Sequence, residues 1–297
     1  MARTWNLLSV PIDSVGRPGG TELGPEALLD AGLADVVDLG ERDATLTLLR
    51  EPERDPGSGV VSYDAVLELT RELRAKTAAL AAGDDPLLVL GGCCTLVPGV
   101  LGGIADAGGM PRIAYVDGHL DLYDGVNSET GEAADMPLAV ALGRGPEGWL
   151  EAAGDHRLDP ADLAILGYRD LEEARGLGSL LPDDLPGGTF ADTPAIRASG
   201  PAAVSAEVAD RFAAAGDGRN HGYWVHIDLD VLDESVFPAT DAFVPGGLDW
   251  DELTELAGPL LASEACLGLN LVCFNPEKDR DGESGRRIVE LLGATLG

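Results

Sequence analysis

The sequence predicts an α/β protein built on one mostly parallel sheet with helices on both faces. Three observations carry this. Short apolar runs alternate with longer helical ones from end to end, two of those runs stop abruptly at closely spaced acids, and no repeat interrupts the alternation. A length of 297 residues suits one large α/β domain or two ordinary ones. Unbroken alternation favours a single domain over residues 1–297.

Residues 5–10 are apolar enough for a first strand, and a Gly/Pro-rich loop, residues 16–24, follows. That loop has no Gly-Lys-Ser/Thr and no Gly-x-Gly-x-x-Gly, which argues against a phosphate cradle. Pro25 with Glu26 marks a helix start. Residues 36–39 read as a short strand and 51–59 as a polar loop. Residues 63–82 read as a long helix, because Val66, Leu69, Leu73 and Leu80 recur on one face. A buried strand at 86–90 runs into Gly91-Gly92-Cys93-Cys94-Thr95. Residues 112–116 form another strand, 131–143 contain a helix, 163–166 form a strand, 182–189 a loop and 202–215 a helix. A strand at 223–227 leads into a long irregular loop, 233–247. A helix at 249–261, a strand at 266–272 and a helix at 285–296 complete the chain.

The net charge of −32 comes from 52 acidic residues against 20 basic ones, of which only Lys76 and Lys278 are lysines. Such a chain is repelled by nucleic acid and anionic membranes, so neither is expected as a partner. The charge reads as a solvated surface, with steering of cations as a by-product. The apolar run at residues 7–12 is too short for a signal segment and no stretch approaches a membrane span, so a cytoplasmic protein is expected. Cys93, Cys94, Cys266 and Cys273 show no paired Cys-x-x-Cys spacing and read as reduced thiols.

The most informative stretch is Asp117-Gly118-His119-Leu120-Asp121, which places metal-ligand side chains at every second residue where an apolar run stops. In a strand such positions share a face, so the three converge. A second run ends the same way in Asp228 and Asp230. Four carboxylates and an imidazole at the carboxyl ends of two strands repel one another unless cations compensate them. Two divalent ions neutralise the sum, and oxygen and nitrogen donors suit manganese.

On these residues the chain resembles the arginase/agmatinase/formiminoglutamase superfamily over nearly its full length. The resemblance is carried by Leu23-Gly24-Pro25-Glu26-Ala27-Leu28, Gly91-Gly92, the two acidic motifs with Val231-Leu232-Asp233, Pro238-Ala239-Thr240, Gly246-Gly247-Leu248 and Asn275-Pro276. It implies a three-layer α/β/α sandwich around an eight-stranded, mostly parallel sheet, assembled as a homo-oligomeric trimer or hexamer. It also implies two Mn2+ ions sharing a bridging hydroxide that attacks a guanidino or formimino carbon. Carried over by residue, Asp117 and Asp228 bridge both ions, His119 and Asp230 complete one, and Asp121 binds the other and accepts a hydrogen bond from the hydroxide.

Four departures from the family pattern matter. Cys94 stands where a histidine usually serves the more exposed metal; it is either a softer ligand, favouring another divalent metal or a weakly filled site, or a packing residue. Ala134 replaces the proton-shuttling histidine, leaving Glu132 or Asp135 to carry protons unless they only complement a helix start. Thr130 matches a hydroxyl that holds an amino acid carboxylate, while Tyr123 replaces an asparagine at the same task. In the guanidinium pocket Cys273 replaces the usual glutamate, Ala242 a threonine, and Asp241 a glycine. Asp241 either restores a carboxylate or serves as a turn residue. Glu172, in Tyr168-Arg169-Asp170-Leu171-Glu172, replaces an aspartate that recognises an α-amino group.

His226 shares a face with Asp228 and reads as a histidine packed behind the site rather than a ligand. His156 and His221 lie in loop-like surroundings, and the four tryptophans read as packing residues. The expected function is metal-dependent hydrolysis of a C–N bond in a small guanidino or amidino compound, with Nω-hydroxyarginine as a candidate. The alternative is a catalytically degenerate oligomer with a structural or regulatory role.

Overall fold

The computed structural model describes residues 3–110, 112–215 and 222–297. Eight strands form one sheet: β1 (Trp5–Val10), β2 (Leu39–Ala44), β3 (Leu87–Gly91), β4 (Arg112–Val116), β5 (Leu163–Leu166), β6 (Thr189–Ala191), β7 (Tyr223–Asp228) and β8 (Cys266–Val272). Their order is β2-β1-β3-β8-β7-β4-β5-β6, and every pairing is parallel. The four central strands, β3, β8, β7 and β4, are apolar and almost wholly buried because helices cover both sheet faces. Two hydrophobic clusters, one on each face, fill the layers between sheet and helices.

The helices are α1 (Gly24–Asp30), α2 (Leu33–Val36), α3 (Tyr63–Ala81), α4 (Val97–Asp106), α5 (Pro137–Ala141), α6 (Glu147–Ala153), α7 (Leu171–Leu177), α8 (Thr193–Ser199), α9 (Pro201–Ala214), α10 (Trp250–Ala262) and α11 (Glu283–Leu296). Helix α10 starts at a capping box, with Asp249 accepting from the Glu252 amide at 2.8 Å and Glu252 accepting from the Asp249 amide at 2.9 Å. Among the described residues no helix is long and apolar enough to cross a membrane.

Two strand assignments need correction. The strand expected at 36–39 begins only at Leu39, because Leu33–Val36 closes a helical turn. The real strand, Leu-Gly-Glu-Arg-Asp-Ala, is a mostly exposed sheet edge with no need of apolar alternation. At the opposite edge, residues 182–189 read as loop, yet Thr189 opens the three-residue β6. Helix α4 also escaped the pattern, since Val-Pro-Gly-Val-Leu-Gly-Gly-Ile-Ala-Asp carries three glycines. A Cβ on Gly102 would fall 2.1 Å from the Ala153 carbonyl oxygen and one on Gly103 2.5 Å from that of Arg74, so close packing against α6 and α3 demands them.

Candidate metal centre

Parallel register puts the acidic motifs side by side. Val116 pairs with Ile227 across β4 and β7, so Asp117 and Asp228 leave adjacent strands at the same level, and Asp228 pairs with Val272 on β8. The Gly91-Gly92 corner after β3 brings Cys94 to the same carboxyl edge. Gly92 is required there, because a Cβ would meet the Ile12 carbonyl oxygen at 1.5 Å. Together these residues floor a cavity of about 550 Å³.

Among the described residues two donor groups form, each with its ligand atoms within 4.8 Å of one another: Asp117, His119 and Asp230, and Cys94, Asp117, His226 and Asp228. Asp117 belongs to both. Its Oδ1 lies 3.5 Å from His119 Nδ1, which is itself 3.0 Å from Asp230 Oδ2, while Asp117 Oδ2 lies 3.7 Å from Cys94 Sγ. Cys94 Sγ donates to Asp228 Oδ2 at 2.8 Å. Asp121 lines the cavity in neither group; its carboxylate accepts from the Tyr115 hydroxyl, and its backbone φ of 51° is left-handed.

Burial, followed by repulsion from Asp230 and Asp117, pushes Asp228 well above the usual carboxylate range, and burial with Asp117 does the same to Asp121. Asp117 is buried too, but the neighbouring His119 and His226 imidazoles hold it low. Burial opposes charge on His119, yet Asp230 and Asp117 raise it well above its ordinary value. The Cys94 thiol is pushed up by burial, then by Cys273 and Asp228. A basin of mutually repelling carboxylates with a thiol and imidazoles is a donor set that divalent cations fit, since they replace protons as the compensating charge.

The walls are acidic as well. Asp135 accepts from Ser128 Oγ at 2.6 Å and Thr130 Oγ1 at 2.5 Å, so the Thr130 hydroxyl is already engaged. Glu132 accepts from Ser14 at 3.1 Å, and burial followed by Asp135 raises its carboxyl. Tyr123, Ala134, Ala242 and Cys273 also line the cavity. Cys273 adopts a left-handed φ of 64°, uncommon for a side chain with a Cβ, which sets its thiol beside Cys94 and Asp228. Cys93 faces Thr95 at 3.3 Å, and burial pushes its thiol up to about 12.

Two expectations are corrected here. Glu172 does not line the cavity: in the first turn of α7 it points to solvent and pairs with Arg175, while Glu173, one position on, lines the wall. Asp241 does line the cavity but brings no free carboxylate, because Lys278 Nζ lies 2.6 Å away and Asn275 Nδ2 donates to it at 3.0 Å. His221 lies outside the described residues, and His156 lies away from this cavity.

Sequence reasoning also missed residues. Asp13, three positions beyond β1, lines the cavity, and its place after a strand end was the available signal. Asp170 lines it too; its Oδ2 accepts from the Leu120 amide at 3.2 Å while Oδ1 is buried with no hydrogen-bond partner among the described residues. Arg169 holds the scaffold, donating to the carbonyls of Asp230 at 2.8 Å and Val244 at 3.0 Å.

The family model for the arginase family matches residues 3–297. An arginase of Agrobacterium fabrum is 30% identical over 311 aligned positions, covering 99% of this chain and 91% of that protein. Among solved structures, Entamoeba histolytica arginase in complex with L-ornithine superposes with a TM-score of 0.82 at 20% identity, covering 100% of this chain and 99% of that one. The native arginase of Bacillus caldovelox gives 0.82 at 23% identity over the same shares. Both solved structures share the fold.

Proposed function

The chain belongs to the arginase family, and from that premise we propose that it is a divalent-metal-dependent hydrolase of a carbon–nitrogen bond in a small guanidino or amidino compound. The observation that carries this reading is the pair of donor groups sharing Asp117 on the floor of an acid-walled cavity. Cys94, Asp117, His119, Asp121, Asp228 and Asp230 would hold two cations, manganese on the oxygen-rich side. Bound there, such cations supply Lewis acidity and acidify a water.

The remaining chemistry belongs to the protein. Asp121, whose carboxylate accepts from the Tyr115 hydroxyl, would orient a water and take its proton once cations compensate the buried charge. Glu132 is the better proton carrier where the family's histidine is Ala134, because burial raises its carboxyl above the ordinary carboxylate range. Asp135 already accepts from two hydroxyls. Acidic walls at Asp13, Asp170 and Glu173 favour a cationic substrate tail, and Arg17 is the one lysine or arginine on the lining among the described residues, suited to a carboxylate.

The reacting group lacks the counter-charge that the family usually sets at this end of the pocket. Cys273 is a thiol and Asp241 is paired with Lys278. Burying a full guanidinium there lacks its counter-charge, so a less basic analogue is preferred. Nω-hydroxyarginine is the expected substrate class. With manganese-loaded protein, kcat/KM should be higher for Nω-hydroxyarginine than for arginine or agmatine, and Cys273→Glu should narrow the gap. Arginine preferred by about tenfold, roughly 1.4 kcal/mol, would overturn this reading of the pocket.

A further inference from the structure

His226 belongs to a donor group, yet the chemistry above gives it no task. It is fully buried, its ring stacks on Tyr115 at 4.1 Å and 7°, and its Nε2 lies 3.4 Å from Cys94 Sγ and 3.8 Å from Asp117 Oδ2. Geometry alone would make it a ligand.

The other ring edge decides against that. Trp224 Nε1 donates to Asn270 Oδ1, and Asn270 Nδ2 faces His226 Nδ1. An indole N–H can only donate, so Asn270 must turn its carbonyl to Trp224 and its amide N–H to His226. Nδ1 therefore accepts, and the proton of the neutral imidazole sits on Nε2. A protonated Nε2 has no lone pair for a cation. Trp224 is 1% exposed and Asn270 0%, so turning the amide over would leave a buried indole N–H unsatisfied.

We propose that Trp224, Asn270 and His226 form a one-way hydrogen-bond relay whose last member, Nε2–H, is a fixed donor to the Cys94 sulfur, with the Asp117 carboxylate 3.8 Å from the same nitrogen. Cys94, and not His226, is then the ligand at this corner of the site. The inference rests on the two-cation reading above and deepens it. Direction is set at both ends, because Cys94 Sγ in turn donates to Asp228 Oδ2 at 2.8 Å. When a cation binds, the S–H bond breaks, its proton passes to solvent, and the sulfur electron pair goes to the metal. The thiolate keeps the Nε2–H bond, which lowers its repulsion with Asp117 and Asp228. A thiolate among carboxylates favours borderline cations such as zinc or cobalt over manganese. His226 acts through Cys94 and is a positioning residue.

Histidine-labelled 15N–1H NMR of the metal-free protein, assigned with His226→Gln, should show the His226 ring protonated on Nε2. Protonation on Nδ1 overturns the proposal. Asn270→Asp supplies the second arm, since a carboxylate accepts from both Trp224 and an Nδ1–H and so bares Nε2. That variant should hold zinc about tenfold more tightly against a chelator. Its cobalt form should gain a nitrogen ligand while keeping the thiolate-to-cobalt charge-transfer band. Unchanged zinc retention and cobalt spectrum in folded Asn270→Asp overturn the relay; if that variant does not fold, the wild-type tautomer decides. Folded wild-type protein that binds neither zinc, cobalt nor manganese overturns the two-cation reading, and the assignment of Cys94 as ligand with it, even with the tautomer as expected.

Discussion

On one side of Asp117 the metal centre is oxygen-rich and partly open. His119 keeps 27% of its side-chain exposure there, and Asp230 faces it directly. On the other side the centre is closed and contains sulfur, with Cys94, His226 and Asp228 all at 3% exposure or less. Both sides draw on β4 and β7 and share Asp117, but only the closed side takes a donor from the corner after β3, Cys94. The difference teaches that a strand-end scaffold fixes where donor atoms gather, whereas side-chain chemistry fixes which cations would suit them.

The largest test breaks both sides at once. Asp117 presents one oxygen to each donor group, so Asp117→Ala should weaken both cations by more than the roughly 10–100-fold typical of a residue behind the ligands. Elemental analysis after equilibration with manganese and zinc reads the loss. Retention of both ions would mean that the two groups are independent. Single-sided variants sharpen the contrast: His119→Ala should lose the manganese-favouring ion alone. Cys94→Ser should keep that ion while shifting the other corner away from zinc, and metal loading should shield the wild-type Cys94 from alkylation. Equal labelling with and without metal would remove the sulfur from the coordination sphere.

The smallest effect is on stability. Burial, partly offset by His119, pushes the Asp170 carboxyl from 3.8 to about 6. The folded form therefore binds more protons than the unfolded chain across that window, and stability rises as pH falls from above 6 towards 4. At 1.36 kcal/mol per pH unit, the buried anion costs roughly 3 kcal/mol at pH 8. Asp170→Asn should thus stabilise the chelator-treated protein at pH 8 by up to about that amount, with the gain fading near pH 4. Urea unfolding at both pH values reads it, and a pH-independent difference would mean that the burial does not govern this group.

The acidic motifs were legible because a strand that stops at alternating Asp and His has few other readings, and β4, β5 and β8 were read to the residue for the same reason: buried parallel strands are unbroken apolar runs. Elements shaped by their neighbours were not. Glycines that serve packing hid α4, and exposure at the sheet edges hid β2 and β6. Glu172 and Glu173 stand side by side on α7, and composition alone says nothing of which one faces the cavity. His226 was placed on the correct face, but its tautomer depends on Asn270 and Trp224, 44 and 2 residues away in sequence, which meet only once β7 and β8 pair.

The position of β8 has a temporal meaning. It is the last strand made, yet it lies between β3 and β7 at the middle of the sheet. At about 5–20 residues per second the ribosome releases β3 well before Cys266. Until then two apolar strand edges, Leu87–Gly91 and Tyr223–Asp228, lack the neighbour that separates them. Pairing them with each other would bury the same surface in the wrong order, so the growing chain must hold a gap open for a strand not yet synthesised. Asp117, His119 and Asp230 gather as soon as β4 and β7 pair, but Cys94, on the β3 side of the gap, joins Asp117 and Asp228 only when it is filled, so the sulfur-containing donor group reports completion of the sheet.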